Sequence, residues 1–129
     1  MEVMFERVAG LDIGKASVTV CVRTPGPPGP RGGRRSETRT FSTMSRSLLV
    51  MRDWLLESGV SIAAMESTST YWKAPFYCLE EVLECWLLNA AHMKAVPGRQ
   101  TDVRDAECIA QLLEHGLWSD PDPVEGADQ

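Results

Sequence analysis

No apolar run in the 129 residues approaches the ~20 that a membrane-spanning helix requires, so no membrane partner is expected. The N-terminus, with Glu2, Glu6 and Arg7, lacks the charged-then-apolar order of a secretion signal, which points to a cytoplasmic protein. Cys21, Cys78, Cys85 and Cys108 contain no Cys-x-x-Cys pair and stand at no zinc-like spacing from His92 or His115. They read as reduced, mostly buried thiols. Positive charge is also short, since 13 Lys and Arg against 18 Asp and Glu leave a net charge of -5. That argues against a protein that coats nucleic acid nonspecifically. An enzyme with a local basic strip remains compatible, because an acidic metal site and an acidic tail both lower the total.

What the chain does have is one strongly patterned helix. Counting roughly 100° per residue from Asp102, the apolar residues Ala106, Ile109, Ala110, Leu112, Leu113 and Leu117 fill an arc of about 160°. Asp102 and Asp105 fall inside that arc, while Arg104, Glu107, Gln111, Glu114 and His115 are assigned to the exposed side. An inward carboxylate costs several kcal/mol unless it is paired or bound to a cation. The i, i+3 spacing makes these two acids neighbours and suggests a metal ion as their partner. The alternative is an N-cap at Asp102 and a first-turn acid at Asp105, both favoured by the helix dipole.

Upstream, residues 8–13 form a short apolar run interrupted by Asp12, and Gly14-Lys15 turns the chain into Ser17 to Arg23. Val18, Val20 and Val22 alternate there with Ser17, Thr19 and Cys21, so the pair predicts a hairpin with Asp12 on the face of Val8 and Gly10. Asp12 is either a site residue or a turn-former at the strand end. Thr24 to Arg35 is rich in proline, glycine and arginine and predicts a loop. Arg31, Arg34 and Arg35, with Arg23 and Arg39 at its edges, suit a phosphate backbone or simply a solubilised loop. A third strand follows over Glu37 to Ser42. Ser45 is then expected to cap a helix burying Leu48, Leu49, Met51, Leu55 and Leu56, closed by Gly59.

Val60 to Met65 predicts a buried strand ending on Glu66, a position where α/β sheets place ligand chemistry. Tyr71 to Leu83 predicts a helix with Pro75 in its first turn and Trp72, Phe76, Leu79 and Leu83 turned inward. Cys85 to Asn89 predicts a buried strand, and His92 is read as structural or solvent-facing. After Trp118 the chain is acidic and proline-punctuated, so residues 1–118 are expected to form one domain and 119–129 a disordered tail.

Three antiparallel-type strands, then strands alternating with helices, imply a mixed five-stranded α/β sheet flanked by helices. The acids at the first strand, the end of the fourth and the start of the last helix match the arrangement of the ribonuclease H-like (RuvC-like) fold. Such hard oxygen donors select Mg²⁺ or Mn²⁺.

Gly10-Leu11-Asp12-Ile13-Gly14-Lys15, Met65-Glu66-Ser67-Thr68 with Tyr71-Trp72, and Val96-Pro97-Gly98-Arg99-Gln100-Thr101-Asp102-Val103-Arg104-Asp105-Ala106 with Gln111-Leu112-Leu113 resemble one family. They are similar to the N-terminal RuvC-like domain of DEDD-type insertion-sequence transposases, the bridge-RNA-guided recombinases. The likeness covers roughly residues 5 to 118. It implies that Asp12, Glu66, Asp102 and Asp105 bind the metal for phosphoryl transfer on DNA. It also implies a structured guide RNA, a homo-oligomer and a C-terminal domain bearing an attacking serine, which is expected to be absent here. Lys15, Arg99 and Arg104 are candidates for phosphate contacts, with surface charge as the alternative. Ser69 departs from the glycine that many members carry after the Glu66 position.

Three other readings are open at this stage. The Gly-x-Asp-x-Gly turn also resembles the first phosphate loop of actin-like kinases, but the chain is too short for their two lobes. A truncated nucleic-acid-binding or oligomerisation module predicts binding without cleavage. A free-standing resolvase-type nuclease predicts cleavage of branched DNA by water.

Overall fold

The computed structural model describes residues 5–26, 33–67 and 70–88 and the backbone of 102–115, where side chains are described from Ala106 to Glu114. Five strands form one sheet: β1 (Val8–Ile13), β2 (Ser17–Pro25), β3 (Arg34–Ser42), β4 (Ile62–Ser67) and β5 (Glu84–Leu87). Among the described residues three helices cover it: α1 (Ser45–Glu57), α2 (Lys73–Leu79) and α3 (Asp102–His115). The strand order is β3-β2-β1-β4-β5, with β1 antiparallel to β2, β2 antiparallel to β3, and β1, β4 and β5 parallel. This is the expected mixed sheet with helices on both faces.

Alternation along the strands builds two cores. On one face Ala9, Leu11 and Ile13 pack with Val18, Val20 and Val22 under α1 and α2. On the other, Val8, Cys21, Ile62 and Ala64 meet Ala106, Ile109, Ala110 and Leu113 of α3. Because the side-chain period of a strand is two, Asp12 and Glu66 fall on the α3 face, with Val8 and Gly10.

Several local expectations are corrected. Ser45 is the first helical residue rather than the cap; Met44 holds the cap position with no side-chain hydrogen bond. Leu49 and Leu56 are exposed and Trp54 is buried instead, stacked at 5.7 Å against Phe41 of β3. β3 begins at Arg34, earlier than its polar sequence suggests, because its hydrogen-bonded ladder with β2 continues to the Pro25–Arg34 pair. α2 is shorter than predicted, although Trp72, Phe76, Leu79 and Leu83 are all buried. β5 is an edge strand and only half-buried, since it pairs with β4 alone.

All four cysteines are free thiols. Burial pushes the thiols of Cys21 and Cys78 up and that of Cys85 up to about 12, so none of these three has thiolate character at neutral pH. Among the described residues no helix is long and apolar enough to cross a membrane. His92, Arg31, Leu117 and the acidic 119–129 segment lie outside the described residues.

Candidate acid site and the seat of its helix

Asp12 and Glu66 are register partners on the parallel strands β1 and β4. Neighbouring strands lie about 4.8 Å apart, and register partners project from the same face, so the two carboxylates stand side by side at the carboxyl ends of their strands. Glu66 is 7% exposed and Asp12 is half-buried. The row continues outward, because Asp12 is also in register with Thr19 of β2, and Thr19 with Thr40 of β3. The Thr19 and Thr40 hydroxyl oxygens are 3.5 Å apart and Thr19 is buried. Two carboxylates and two hydroxyls thus form one polar line across four strands, with Ala64, Gly10 and Cys21 next below it on β4, β1 and β2.

α3 lies across this face antiparallel to β1. The Phe5 N–H, ahead of β1, donates to the Glu114 carbonyl near the end of the helix (3.0 Å). Gly10, two residues before Asp12, sits directly beneath Ala106 to Ala110. A Cβ on Gly10 would collide with the Ala106 carbonyl oxygen and come within 2.5 Å of the Ala110 nitrogen and 2.9 Å of the Ile109 Cβ. The absent side chain lets the helix rest on the strand backbone. From Gly10 to Asp12 the strand rises about 6.6 Å, and from mid-seat to positions 105 and 102 the helix climbs about 4.5 to 9 Å. The first turn of α3 therefore reaches the level of the acid pair.

The side chains of Asp102, Arg104 and Asp105, and all of Arg99, lie outside the described residues. Among the described residues no group of three or more His, Cys, Asp or Glu stands close enough to hold a metal. They contribute the Asp12–Glu66 pair only. Lys15 is exposed in the turn just beyond Asp12.

Glu114, expected on the exposed side of α3, is fully buried. Its carboxylate accepts from Arg23 Nε at 2.8 Å and Nη2 at 3.2 Å, and from Arg34 Nε at 2.9 Å. Arg34 Nη2 also donates to the Glu6 carbonyl. Arg39 pairs with Glu37 at 2.7 Å and stacks on Trp54 at 4.4 Å. Arg23 and Arg34 of the supposed phosphate strip are therefore committed to the protein itself, whereas the Arg39–Glu37 pair lies at the surface. The helical count held a signal for Glu114, because it falls only about 40° beyond Ala110, at the border of the apolar arc. What it lacked was the partner.

Burial raises the Glu114 carboxyl pKa, but hydrogen bonds and charge from Arg23 and Arg34 outweigh it and hold the group below its usual 4.5. A depressed carboxyl contributes stability above 4.5 that is lost as pH falls through the native value. The stability difference between the wild type and Glu114→Gln at pH 6 is therefore expected to shrink as the pH is lowered below 4.5. Urea unfolding of both proteins across that range measures it.

The site thus has two acids at parallel strand ends beneath the start of a helix. Residues 9–129 match the family model of the IS110-type DEDD transposases, described as "Transposase". The chain belongs to that transposase family. Its match runs past Trp118 to the last residue. No curated protein matches this transposase chain. Its structure is similar to that of Thermus thermophilus RuvC at a TM-score of 0.55 and 15% identity, covering 86% of this chain and 93% of that one. RNase HII in its complex with PCNA from Archaeoglobus fulgidus aligns at a TM-score of 0.43 and 14% identity, over 95% of this chain and 76% of that one. At such identity the RuvC likeness speaks for the fold, and the transposase domain has the ribonuclease H-like, RuvC-like architecture.

Proposed function

We propose that the chain is the catalytic RuvC-like domain of a DNA transposase, in which Asp12, Glu66, Asp102 and Asp105 hold Mg²⁺ or Mn²⁺ for phosphoryl transfer on DNA. The observation that carries this reading is the register of β1 with β4, which sets Asp12 beside Glu66 on the face that α3 covers. The donor chemistry fits the group, since carboxylates are the ligands that hard divalent cations prefer. Bound there, such a cation supplies an activated nucleophile and charge stabilisation at a phosphodiester.

The chain's own residues have separate tasks in this reading. Glu66, buried at the strand end, offers a carboxylate fixed by the sheet, and half-buried Asp12 offers one open to substrate. Asp102 and Asp105 complete the donor set from the first turn of α3. Lys15, exposed beyond Asp12, contacts a phosphate of the DNA strand. Arg99 and Arg104 take the same role, and the guide RNA, self-assembly and separate serine-bearing domain implied by the family resemblance remain part of the proposal.

Crystals soaked in Mn²⁺ test it through the anomalous signal. The expected result is manganese within about 2.5 Å of oxygens from Asp12, Glu66 and at least one of Asp102 and Asp105. Carboxylates that stay apart and empty at millimolar metal would overturn the catalytic reading in favour of a binding module.

A further inference from the structure

The apolar contact that holds α3 to the sheet is closest where Ala106, Ile109 and Ala110 lie over Gly10, and Val8, Cys21, Ile62, Ala64 and Leu113 surround that point. Such contact is strong but non-directional, and it leaves a helix free to pivot about its closest point. That point is Gly10. The first turn with its two acids lies on one side of the pivot, and Glu114, about 9 Å from the middle of the seat, lies on the other. The arms are of similar length, so a swing at Glu114 is reproduced at the opposite end.

Glu114 is where direction enters. Its carboxylate is 0% exposed and takes three hydrogen bonds from two guanidinium groups on different strands, Arg23 near the end of β2 and Arg34 at the start of β3. The planar fork of Arg23 meets both carboxylate oxygens, a geometry that defines orientation as well as distance. A buried ion pair is a weak source of net stability compared with a well-packed apolar group, and its best attested use is to specify register. The backbone bond from Phe5 N–H to the Glu114 carbonyl adds a fourth tie at the same residue.

We propose that Glu114, held by Arg23 and Arg34, is a positioning residue that sets the pivot angle and register of α3 and thereby the placement of its first-turn acids over Asp12 and Glu66. The inference rests on the four-acid reading for its metal readout and on the fold alone for its helix readout. Metal–ligand distances in a well-formed site lie within about 0.2 Å of their standard values, so a swing of the helix that carries its acids away from Asp12 and Glu66 weakens the site.

The test compares Glu114→Gln with Leu113→Ala in the full chain. Leu113 is 1% exposed in the same turn, so its truncation loosens the same packing without touching the ion pair. Mn²⁺ affinity is read by the electron paramagnetic resonance signal of free manganese, at a temperature where both variants are folded. Glu114→Gln is expected to lose at least ~10-fold in affinity and Leu113→Ala less than ~3-fold, in line with the tolerance of metal geometry. Equal losses, or no loss in Glu114→Gln, overturn the proposal.

Amide exchange along α3 from Ala106 to Leu113, which runs from the pivot toward the Glu114 end, reads helix docking without metal. Faster exchange there in Glu114→Gln than in Leu113→Ala is the expected result, and equal exchange overturns the proposal. If the wild type takes up no Mn²⁺, the four-acid reading falls and the exchange result alone judges the positioning role. Should Glu114→Gln fail to fold, Arg34→Lys, which keeps the charge but removes the fork, is judged by the same two readouts.

Discussion

Gly10→Ala is expected to be the most damaging single methyl in the domain. The new carbon would lie 2.5 Å from the Ala110 nitrogen and closer still to the Ala106 carbonyl oxygen. Both are backbone atoms of α3, so no side-chain rotation relieves the contact, and the helix must lift as a body. Overpacking usually costs 1–3 kcal/mol. Here the upper end, about 3 kcal/mol or more, is expected because the whole α3 interface is disturbed. On a domain stability of roughly 5–15 kcal/mol, that lowers the thermal midpoint by on the order of 10 °C. Gly14→Ala is the matching control. Among the described residues a Cβ there meets only the Ser17 carbonyl oxygen at 3.7 Å, an ordinary contact, and its effect is expected to stay within about 0.5 kcal/mol. Thermal unfolding of the two variants decides the matter, and equal effects would refute the close seating of α3 on β1.

Asp12→Asn is expected to pull stability and metal binding in opposite directions. Carboxylates in register on adjacent strands repel each other when both are charged, by roughly 0.2–1 kcal/mol in a sheet, and Glu66 is buried beside Asp12. Neutralising Asp12 should therefore raise the midpoint in EDTA by the equivalent of about 0.2–1 kcal/mol. Residues that serve a site often carry such a stability cost. With millimolar Mn²⁺ the order reverses. A ligand that binds the native state adds RT ln(1 + [L]/Kd), so the wild type gains about 2.7 kcal/mol where metal is at 100 times Kd. On the proposed four-acid reading, Asp12→Asn is expected to gain almost nothing, with Mn²⁺ affinity lowered by ~10–100-fold. Glu66→Gln should behave alike. Two midpoints per protein, with and without metal, suffice. An Asp12→Asn protein that gains as much from Mn²⁺ as the wild type would remove Asp12 from the site.

Much of this domain was legible before any coordinates, for reasons that can be named. Val18, Val20 and Val22 alternate with polar residues and declare a half-covered strand, and the spacing of Ala106, Ile109, Ala110 and Leu113 declares a helix face. Both are one-dimensional consequences of backbone period. The order of strands and helices then left few sheet topologies, and the observed one is among them. Patterning was silent at the edges. Apart from Phe41, β3 is polar on both sides, and it exists because its backbone completes the ladder of β2, a nonlocal cause that local composition does not carry. The inward stripe of α1 likewise depends on Trp54 meeting Phe41, a residue of another element.

The site divides along the same line. By itself the sequence determined which acids were available, Asp12, Glu66, Asp102 and Asp105, and that each stands near an element end, the last two within the apolar arc of their helix. It also determined that Gly10 carries no side chain two residues before Asp12. Tertiary structure alone decided that β1 and β4 pair in parallel with Asp12 opposite Glu66, since register is a choice between strands. It alone decided that the missing Gly10 side chain is used as the seat of α3. The same holds for Glu114, whose position on the helix border was local, while its burial came from Arg23 and Arg34 more than 75 residues away in the chain. Periodicity records what one segment buries, whereas an ion pair between distant segments is recorded only in their meeting.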